Sequence, residues 1–254
     1  MDIKNKKDLF ISICGKLNNI KMWNIKNWEC ILNIQNIYED GAIYSACFLN
    51  DNNLNYIISS NCNNYGPSQP IKIFDINGNM VKEINDSNDY TYFIDKYYDI
   101  KTSKNYIITS NFGNVKSYDF HKNKRYHKYY DKNKNRHFSI AIDSNENIIK
   151  LFESSCDGNI RIWNFHTSEL LKKIKVCDNL LYGICIWNNK YLFVGCEDKT
   201  IKLIDLNKGK IVNNLIGHKE KVINLQKLTH PKYGECLISQ GSTFDQIKLW
   251  AIND

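Results

Sequence analysis

The sequence predicts an all-β fold built from about six copies of one short repeat. Close to the end of the sequence lies Ile247-Lys248-Leu249-Trp250, a β-branched residue, a basic residue, any residue and a bulky apolar residue. Stretches of the same kind place their bulky residue at positions 23, 74, 118, 163, 204 and 250, at steps of 51, 44, 45, 41 and 46 residues. A period of roughly 40–50 residues is typical of repeat proteins.

Each repeat contains short apolar runs that favour strands over helices. A run with a small or hydroxylated end precedes each bulky stretch, as in Tyr106-Ile107-Ile108-Thr109-Ser110. The two are joined by a tight polar turn, of which Asp157-Gly158 is the clearest, because Asp-Gly tolerates the positive φ of a hairpin. One further run follows the stretch and another opens most repeats, for example at 170–174 and 181–186. Four short strands per repeat correspond to one blade of a β-propeller.

The two ends of the chain break this pattern. The first repeat begins with its second strand, at Leu9, and the last stops after its third, at Ile252. We therefore predict one β-propeller domain over residues 1–254, with about six four-stranded antiparallel blades of which the first and last are incomplete. Part of a seven-bladed propeller, a truncated chain and completion by another subunit are the alternatives.

Composition restricts the class of protein. No window approaches the roughly 18 consecutive apolar residues of a membrane helix, and the polar start of the chain, at residues 1–7, is unlike a secretory signal. The nine cysteines form no Cys-x-x-Cys pair and mostly lie in apolar runs, as in Cys14, Cys47, Cys185 and Cys236. We expect small buried thiols in a cytoplasmic or nuclear protein, with no metal and no cofactor.

The repeats resemble the Trp-Asp (WD) repeat β-propeller family. The resemblance is clearest where Gly217-His218 precedes the strands that lead to Trp250, and where Ser155-Cys156-Asp157-Gly158 precedes Trp163. In that family a His, a Ser or Thr, an Asp and a Trp form a buried network within a blade. The resemblance implies that His218, Ser239 and Trp250 take these places in the last repeat. Asp245 is offset by one residue from the positions of Asp157 and Asp198, and its place in the network stays open.

The strongest charge feature is a basic, Tyr-rich segment on the outer strand of the third repeat and the loop after it. The formal net charge of the chain is +7. Basic residues interleaved with Tyr could contact phosphates, stack on bases or touch an anionic membrane; the residues concerned are Lys122, Lys124, Arg125 and Lys128. The alternative is a solvated edge strand, in which Lys prevents aggregation. The Phe-Arg-Arg-Gly motif of phosphoinositide-binding relatives is absent.

Two other features could bind partners. The insertion at 61–70 explains the step of 51 residues and is either a recognition loop or a tolerated insertion. The starts of the innermost strands lie on the rim by which propellers of this family engage partners, and they are rich in residue types that form interface hot spots. This predicted partner-binding set is Tyr38, Tyr90, Tyr92, His137, Phe138, Leu181, Tyr182 and Lys219.

Catalytic motifs are missing from the sequence. There is no Gly-x-Ser-x-Gly elbow, no Gly-x-x-x-x-Gly-Lys-Ser/Thr loop and no His-Glu-x-x-His pair. Paired carboxylates of a glycosidase are conceivable at Glu39, Asp40, Asp89 and Glu197, but turn and solubility roles explain these residues more simply. The sequence predicts a non-catalytic scaffold for protein partners inside the cell. The alternatives are a peripheral binder of anionic lipid or nucleic acid, and a substrate-receptor or assembly subunit of a larger complex.

Overall fold

The computed structural model describes residues 9–15, 17–39, 41–62, 69–86, 90–132, 134–144, 147–243 and 245–251. These residues form 22 β-strands and no α-helix. The chain divides into two compact units, the first comprising 1–112 and 116–126 and the second 113–115 and 127–254. Each unit is built from antiparallel sheets of consecutive strands.

Two sheets of the first unit, and a third that lies mostly in it, take up the first half of the chain. The first sheet has the order β1 (Leu9–Cys14), β2 (Asn19–Asn24), β3 (Glu29–Ile34). The second has the order β4 (Ala42–Asp51), β5 (Leu54–Cys62), β6 (Ile71–Asp75), β7 (Met80–Ile84). The third has the order β8 (Thr91–Asp99), β9 (Lys104–Asn111), β10 (Val115–Asp119), β11 (Lys124–Tyr129).

The second unit contains three sheets of the same design. The fourth sheet has the order β12 (His137–Asp143), β13 (Lys150–Ser155), β14 (Asn159–Asn164), β15 (Leu170–Lys175). The fifth has the order β16 (Leu181–Trp187), β17 (Tyr191–Cys196), β18 (Thr200–Asp205), β19 (Lys210–Ile216). The sixth has the order β20 (Val222–His230), β21 (Gly234–Gly241), β22 (Ile247–Ala251).

The fold is all-β, as predicted. It consists of six meandering antiparallel sheets, four of them with four strands, which are the blades of a six-bladed β-propeller. The first and last sheets have three strands each among the described residues, as predicted. The expected turn chemistry is also present, since Gly158 adopts a φ of 73° between β13 and β14. Ile252, where the last repeat was predicted to stop, lies outside the described residues. In the described part of the chain, no helix has the length and apolar character needed to span a membrane.

Apolar residues on facing strands fill the space between neighbouring sheets within each unit. In the first unit Ile58, Ile73 and Ile107 belong to one buried cluster. In the second unit Phe152, Leu192 and Ile204 belong to another. Fully burying a side chain such as Ile or Leu contributes roughly 1.5–3 kcal/mol, so these clusters hold the sheets together and fix the positions of the strand ends.

A β-bulge near the start of the first strand recurs in the second to sixth sheets. In each case the pairing with the second strand shifts register, so that at least one residue is left without an opposite partner. The shifts lie at Ile43/Ser45, Thr91/Phe93, His137/Ser139, Leu181/Ile184 and Val222/Asn224. A bulge bends its strand and redirects the extra side chain. The residues at these bulges therefore leave the normal alternation of the sheet.

Candidate interaction surface

The polar network predicted for the sixth sheet is present, and it has four members. His218 Nε2 lies 2.6 Å from Ser239 Oγ, and the Trp250 indole N–H donates to the same oxygen at 2.7 Å. His218 Nδ1 lies 2.7 Å from Asp245 Oδ2. A carboxylate only accepts hydrogen bonds, which assigns the proton of His218 to Nδ1 and leaves Nε2 to accept the Ser239 hydroxyl. The network braces β21 against β22 and against the connection before β20.

Asp245 belongs to this network despite its offset in sequence. Its Oδ2 also accepts the backbone N–H groups of Lys219 and Glu220, at 2.8 and 3.2 Å. Burial acts to raise the pKa of Asp245, but the hydrogen bonds from His218 and from backbone amides outweigh it and hold that pKa well below its usual range. A side chain that accepts this many hydrogen bonds has a structural role.

The first and second sheets contain partial versions of the same network. In the first, the Trp23 indole donates to Ser12 Oγ at 2.8 Å. In the second, the Tyr38 hydroxyl lies 3.0 Å from Ser59 Oγ and donates to the Ser59 carbonyl at 2.8 Å. Burial raises the pKa of Tyr38 far above its ordinary value, so the phenol stays protonated. Tyr38 thus performs for Ser59 the bracing that His218 performs for Ser239.

A buried cluster of charges occupies the equivalent place in the fourth sheet. Glu153 and Arg161 are completely buried and lie opposite each other on β13 and β14. Glu153 Oε1 is 3.1 Å from His137 Nδ1 and 3.6 Å from Arg161 Nε. Arg161 also reaches two further carboxylates, Asp131 and Asp157, each at 2.6 Å.

Arg161 lowers the pKa of two neighbouring carboxyl groups, Asp157 and Asp131. Burial acts to raise the pKa of Asp157, but the hydrogen bonds and charge of Arg161 prevail and lower it to about 2. The pKa of Asp131 is lowered in the same way, with a further contribution from Lys173. The described residues contain no group of three or more His, Cys, Asp or Glu side chains arranged to hold a metal ion. The contacts of Arg161 with Asp131, Glu153 and Asp157 form an internal ion-pair network of the fourth sheet.

Four members of the predicted partner-binding set are buried in the protein, and one of them, Tyr182, exposes 9% of its surface beside Phe138. Tyr38, His137 and Leu181 expose 3%, 2% and 0% of their surface. Tyr38 and His137 belong to the polar networks described above, and Leu181 belongs to a core cluster. The side chains of Tyr38, His137 and Leu181 contribute packing and polar contacts inside the protein, so any contact with a partner falls to the other members of the set.

The remaining members include three aromatic residues at the β-bulges. In the second unit, Phe138 and Tyr182 lie at the bulges of the fourth and fifth sheets. Their rings stack with centroids 4.9 Å apart, and Lys221 Nζ lies 5.2 Å from the Tyr182 ring centroid. Phe138 is half-buried, and Lys219, two residues before Lys221, is exposed. We call Phe138, Tyr182 and Lys221 the bulge patch.

The first unit has a comparable pair. Tyr92 occupies the bulge of the third sheet and packs edge-on against Tyr44, the bulge residue of the second, with ring centroids 6.2 Å apart. Tyr44 is 46% exposed, and the sequence-based prediction missed it, as it missed Lys221. Tyr90 is half-buried and uses its carbonyl oxygen to accept the N–H of Phe112 at 3.1 Å. A signal was present in the sequence, since an aromatic residue recurs near the start of the first strand in four repeats.

A second exposed aromatic group lies on the first sheet and was also missed. Phe10 stacks on Trp23 with centroids 6.1 Å apart and meets Trp28 edge-on at 6.4 Å. Trp28 is 71% exposed and has a φ of 57° in the turn between β2 and β3. A large exposed aromatic residue of this kind is a potential interface anchor, and it serves below as a comparison site.

The basic segment lies where it was predicted, because β11 is an edge strand of the third sheet. The residues Lys122, Lys124, Arg125 and Lys128 are all exposed. Arg125 lies 3.3 Å from Asp86, and Lys128 Nζ is 5.1 Å from the ring centroid of Tyr130. Exposed ion pairs of this kind contribute little to stability, so these charges are open to solvent and to an anionic partner.

The carboxylates considered for glycosidase chemistry do not all fall within the described structure. Asp40 and Asp89 lie outside the described residues, as does 63–68 of the predicted insertion loop. Glu39 is exposed, and Glu197 accepts the backbone N–H of Leu180 at 3.5 Å. Glu197 thus has a local role in holding the connection before β16.

Comparisons with known proteins give limited similarity. No protein-family model matches the chain. A segment of 72 residues, 28% of this chain, is 28% identical to the U3 small nucleolar RNA-associated protein 21 homolog of Schizosaccharomyces pombe. The match covers 8% of that protein's length. The similarity therefore concerns one segment of a much longer protein.

Proposed function

We propose that the chain is a non-catalytic WD-repeat scaffold, one domain over residues 1–254, that binds protein partners inside the cell, in the cytoplasm or the nucleus. The observation that carries this proposal is the bulge patch. Phe138 and Tyr182 leave the alternation of their sheets at two neighbouring β-bulges and stack on each other. Aromatic side chains fixed on rigid strands are typical anchors of protein interfaces.

The chemistry of the bulge patch suits a particular kind of partner segment. The half-buried Phe138 ring, stacked on the buried Tyr182 ring, offers an apolar contact, and Lys221 beside Tyr182 adds a positive charge. The exposed Lys219 adds a second. A partner segment that places an apolar side chain beside a carboxylate would complement both features.

The polar network of the sixth sheet supports the WD-repeat assignment. His218, Ser239, Asp245 and Trp250 are connected by contacts of 2.6–2.7 Å, which is the set of residue types that the family uses to brace a blade. Partial networks in the first and second sheets agree with a degenerate repeat. The similarity to a nucleolar RNA-associated protein supports a role as an assembly subunit of a larger complex.

Affinity purification tests this proposal. The tagged chain and its Phe138→Ala/Lys221→Glu variant serve as parallel baits, and quantitative mass spectrometry compares the co-purifying proteins. We expect a small set of proteins that the wild type retains and the variant loses. A co-purifying set that is identical for both baits would exclude the bulge patch as the binding surface.

A second function is favoured by the exposed charges of β11. Lys124, Arg125 and Lys128 lie on an edge strand with their charges in solvent, which would suit an anionic lipid surface or a nucleic acid. Binding through phosphate contacts weakens steeply with salt because counterions are released. Titration of single-stranded RNA and of phosphatidylserine vesicles at rising salt tests it, with Lys124→Glu/Lys128→Glu as the variant. Salt-insensitive or absent binding would exclude this function.

A further inference from the structure

The last strand of the sixth sheet, β22, is an edge strand. The sheet has the order β20-β21-β22, so no strand of the described residues pairs with the side of β22 that faces away from β21. In the other five sheets the equivalent strands, β2, β6, β10, β14 and β18, each pair on that side with a further strand, which we call the covering strand. An edge strand presents a row of backbone N–H and C=O groups with which a strand from another chain can pair.

The apolar residues of β22 are more exposed than their equivalents in the complete sheets. By its pairing with the preceding strand, Ile247 corresponds to Ile160 of β14, and Leu249 corresponds to Ile162. Ile160 is completely buried, whereas Ile247 is 66% exposed. Ile162 is 5% exposed, whereas Leu249 is 43% exposed. Ile201, at the same position as Ile160 in the fifth sheet, is also completely buried. β22 therefore leaves open an apolar surface that is covered in the complete sheets.

The covering strands of the first, second, fourth and fifth sheets share one pattern. The bulky residue of the equivalent strand, and the β-branched residue three positions before it, face two residues of the covering strand that are four positions apart. A register shift beside the bulky residue accounts for the extra position, as in a β-bulge. The facing residues are all apolar or cysteine: Cys30 and Ile34, Met80 and Ile84, Leu170 and Ile174, and Ile211 and Leu215. A strand that fits β22 therefore carries two apolar residues four positions apart.

The second sheet shows which residue suits Lys248 of β22. Lys72 holds the position of Lys248, since each pairs with a serine of the preceding strand. Lys72 pairs on its other side with Glu83, the residue directly before Ile84 in the covering strand. Opposite charges that lie directly opposite each other stabilise a sheet. The segment that fits β22 best therefore has an acidic residue directly before its second apolar residue.

Two other parts of the chain do not meet this requirement. Residues 1–8 contain no two apolar residues four positions apart. In β22 of a second copy, Ile247 and Ala251 have that spacing, but the residue directly before Ala251 is Trp250. The pattern and the charge of Lys248 therefore favour a different protein as the source of the segment.

We propose that β22 binds an extended segment of a partner protein, which adds to the sixth sheet as an antiparallel covering strand. The segment carries two apolar residues four positions apart, with Glu or Asp directly before the second. Backbone hydrogen bonds to β22 supply affinity, and the contacts with Ile247, Trp250 and Lys248 supply specificity. This site uses none of the residues of the bulge patch and is independent of it.

A synthetic peptide with the sequence of residues 77–86 is a suitable probe, because Met80, Glu83 and Ile84 give it the required pattern. Fluorescence anisotropy of the labelled peptide measures its binding to the whole chain. The control peptide has the same composition with its Glu and Ile exchanged, which reduces the apolar spacing to three positions. Hydrogen–deuterium exchange locates the bound peptide. We expect slower amide exchange at residues 247–251 and unchanged exchange at 71–75, the strand that already pairs with this sequence in the second sheet.

Variants of exposed residues separate this site from others. Ile247→Glu should weaken binding of the peptide at least about tenfold, because it places a charge against the apolar residue of the segment. Ile216→Glu is the matched control, since Ile216 lies on β19 and is 81% exposed, and it should bind as the wild type does. The bulge-patch variant Phe138→Ala/Lys221→Glu should also bind the peptide normally, so the two proposals can fail separately.

Four results would overturn the proposal. The first is no binding of the peptide, and the second is equal binding of the control peptide. The third is slowed exchange at 247–251 in the monomer without peptide, which would show that the chain itself covers β22. The fourth is a dimer in light scattering that Ile247→Glu dissociates, which would assign the edge to a second copy. If Ile247→Glu fails to fold, the exchange measurement on the wild type still decides.

Discussion

Glu153 in the fourth sheet lies at the register position that Ser239 occupies in the sixth. In both sheets a leucine pairs with the tryptophan of the next strand, Leu151 with Trp163 and Leu237 with Trp250. Glu153 and Ser239 each come two residues after that leucine. Ser239 accepts the Trp250 indole N–H at 2.7 Å. In the fourth sheet the Trp163 indole nitrogen has no hydrogen-bond partner among the described residues, and both Glu153 carboxylate oxygens also lack a hydrogen bond there. The carboxylate instead faces His137 and Arg161.

A serine at position 153 should restore the missing indole hydrogen bond. We expect Glu153→Ser to be more stable than Glu153→Ala by about 1 kcal/mol, because only the hydroxyl can accept the Trp163 N–H. Urea unfolding followed by tryptophan fluorescence measures the difference.

The fifth sheet offers a matched control for this comparison. Val194 holds the same register position there, and the residue opposite Leu192 is Ile204, which has no N–H in its side chain. Val194→Ser should therefore be no more stable than Val194→Ala. If the serine and alanine variants differ in their free energy of unfolding by the same amount at position 153 as at position 194, the Trp163 indole plays no part.

Replacement of Arg161 should be strongly destabilising. Its guanidinium is completely buried and faces Asp131, Asp157 and Glu153. Arg161→Leu leaves the buried Glu153 carboxylate without its cation and removes the closest cation of Asp131 and Asp157, and breaking a buried ion pair costs about 3–5 kcal/mol. Arg161→Lys keeps the charge and should cost less.

Lys173 provides the control for Arg161, because it contacts the same Asp131 at 3.1 Å with its own side chain 43% exposed. Lys173→Leu should cost less than about 1 kcal/mol, as is usual for exposed ion pairs. Chemical denaturation measures the loss of unfolding free energy in each of the two variants. An Arg161→Leu cost no larger than that of Lys173→Leu would contradict the account of the buried cluster.

The same cluster predicts acid sensitivity. The pKa of Asp157 is lowered to about 2 and that of Asp131 is also lowered in the folded state, below the value of about 3.9 of an unfolded Asp. A carboxyl group with a lowered folded-state pKa adds stability above its unfolded pKa and loses that contribution as the pH falls through the folded pKa. The free energy of unfolding should thus fall between about pH 4 and about pH 2.

Asp157→Asn tests the origin of this acid sensitivity. The variant lacks one of the two carboxyl groups of the cluster whose pKa is lowered, so its stability should fall less steeply than that of the wild type over the same pH range. The free energy of unfolding of both proteins at about pH 4.5 and about pH 2.5 gives the comparison. Parallel losses in the two proteins would assign the effect to other carboxyl groups.

Ser239 should matter more for stability than Ser12. Ser239 accepts the Trp250 indole and donates to His218, whereas Ser12 has the tryptophan contact with Trp23. Ser239→Ala leaves the buried His218 ring and the half-buried Trp250 indole without their partner and should cost about 1–3 kcal/mol, against about 1 kcal/mol for Ser12→Ala. Thermal unfolding by circular dichroism checks the order, and a larger cost at Ser12 would contradict it.

Much of the fold could be predicted from the sequence because the repeat fixes the hydrogen-bonded strand order locally. The alternation of apolar runs with turns such as Asp157-Gly158 defined the strands, and the missing strands of the first and last sheets were visible in the same pattern. His218, Ser239 and Trp250 were predicted as a network from the resemblance to a family, and their contacts are present.

Other features depend on approaches that spacing does not show. Asp245 reaches His218 because the chain turns tightly after Gly241, where a Cβ would lie 2.5 Å from the Asp245 Cβ. Tyr38 and His137, predicted to contact partners, are buried because each meets a polar side chain inside the protein, Ser59 for Tyr38 and Glu153 for His137. The β-bulges that position Phe138 and Tyr44 depend on the pairing of two strands, which neither strand shows alone.

The binding constant of a purified partner tests the central claim most directly. The Kd for a protein identified by affinity purification should be measured by calorimetry for the wild type, for Phe138→Ala/Lys221→Glu and for Trp28→Ala, which removes an exposed aromatic residue elsewhere. We predict a Kd at least about tenfold higher for the bulge-patch variant, as for a hot spot worth about 1.4 kcal/mol or more, and an unchanged Kd for Trp28→Ala. An unchanged Kd for the bulge-patch variant, with or without a loss of binding in Trp28→Ala, would contradict the account.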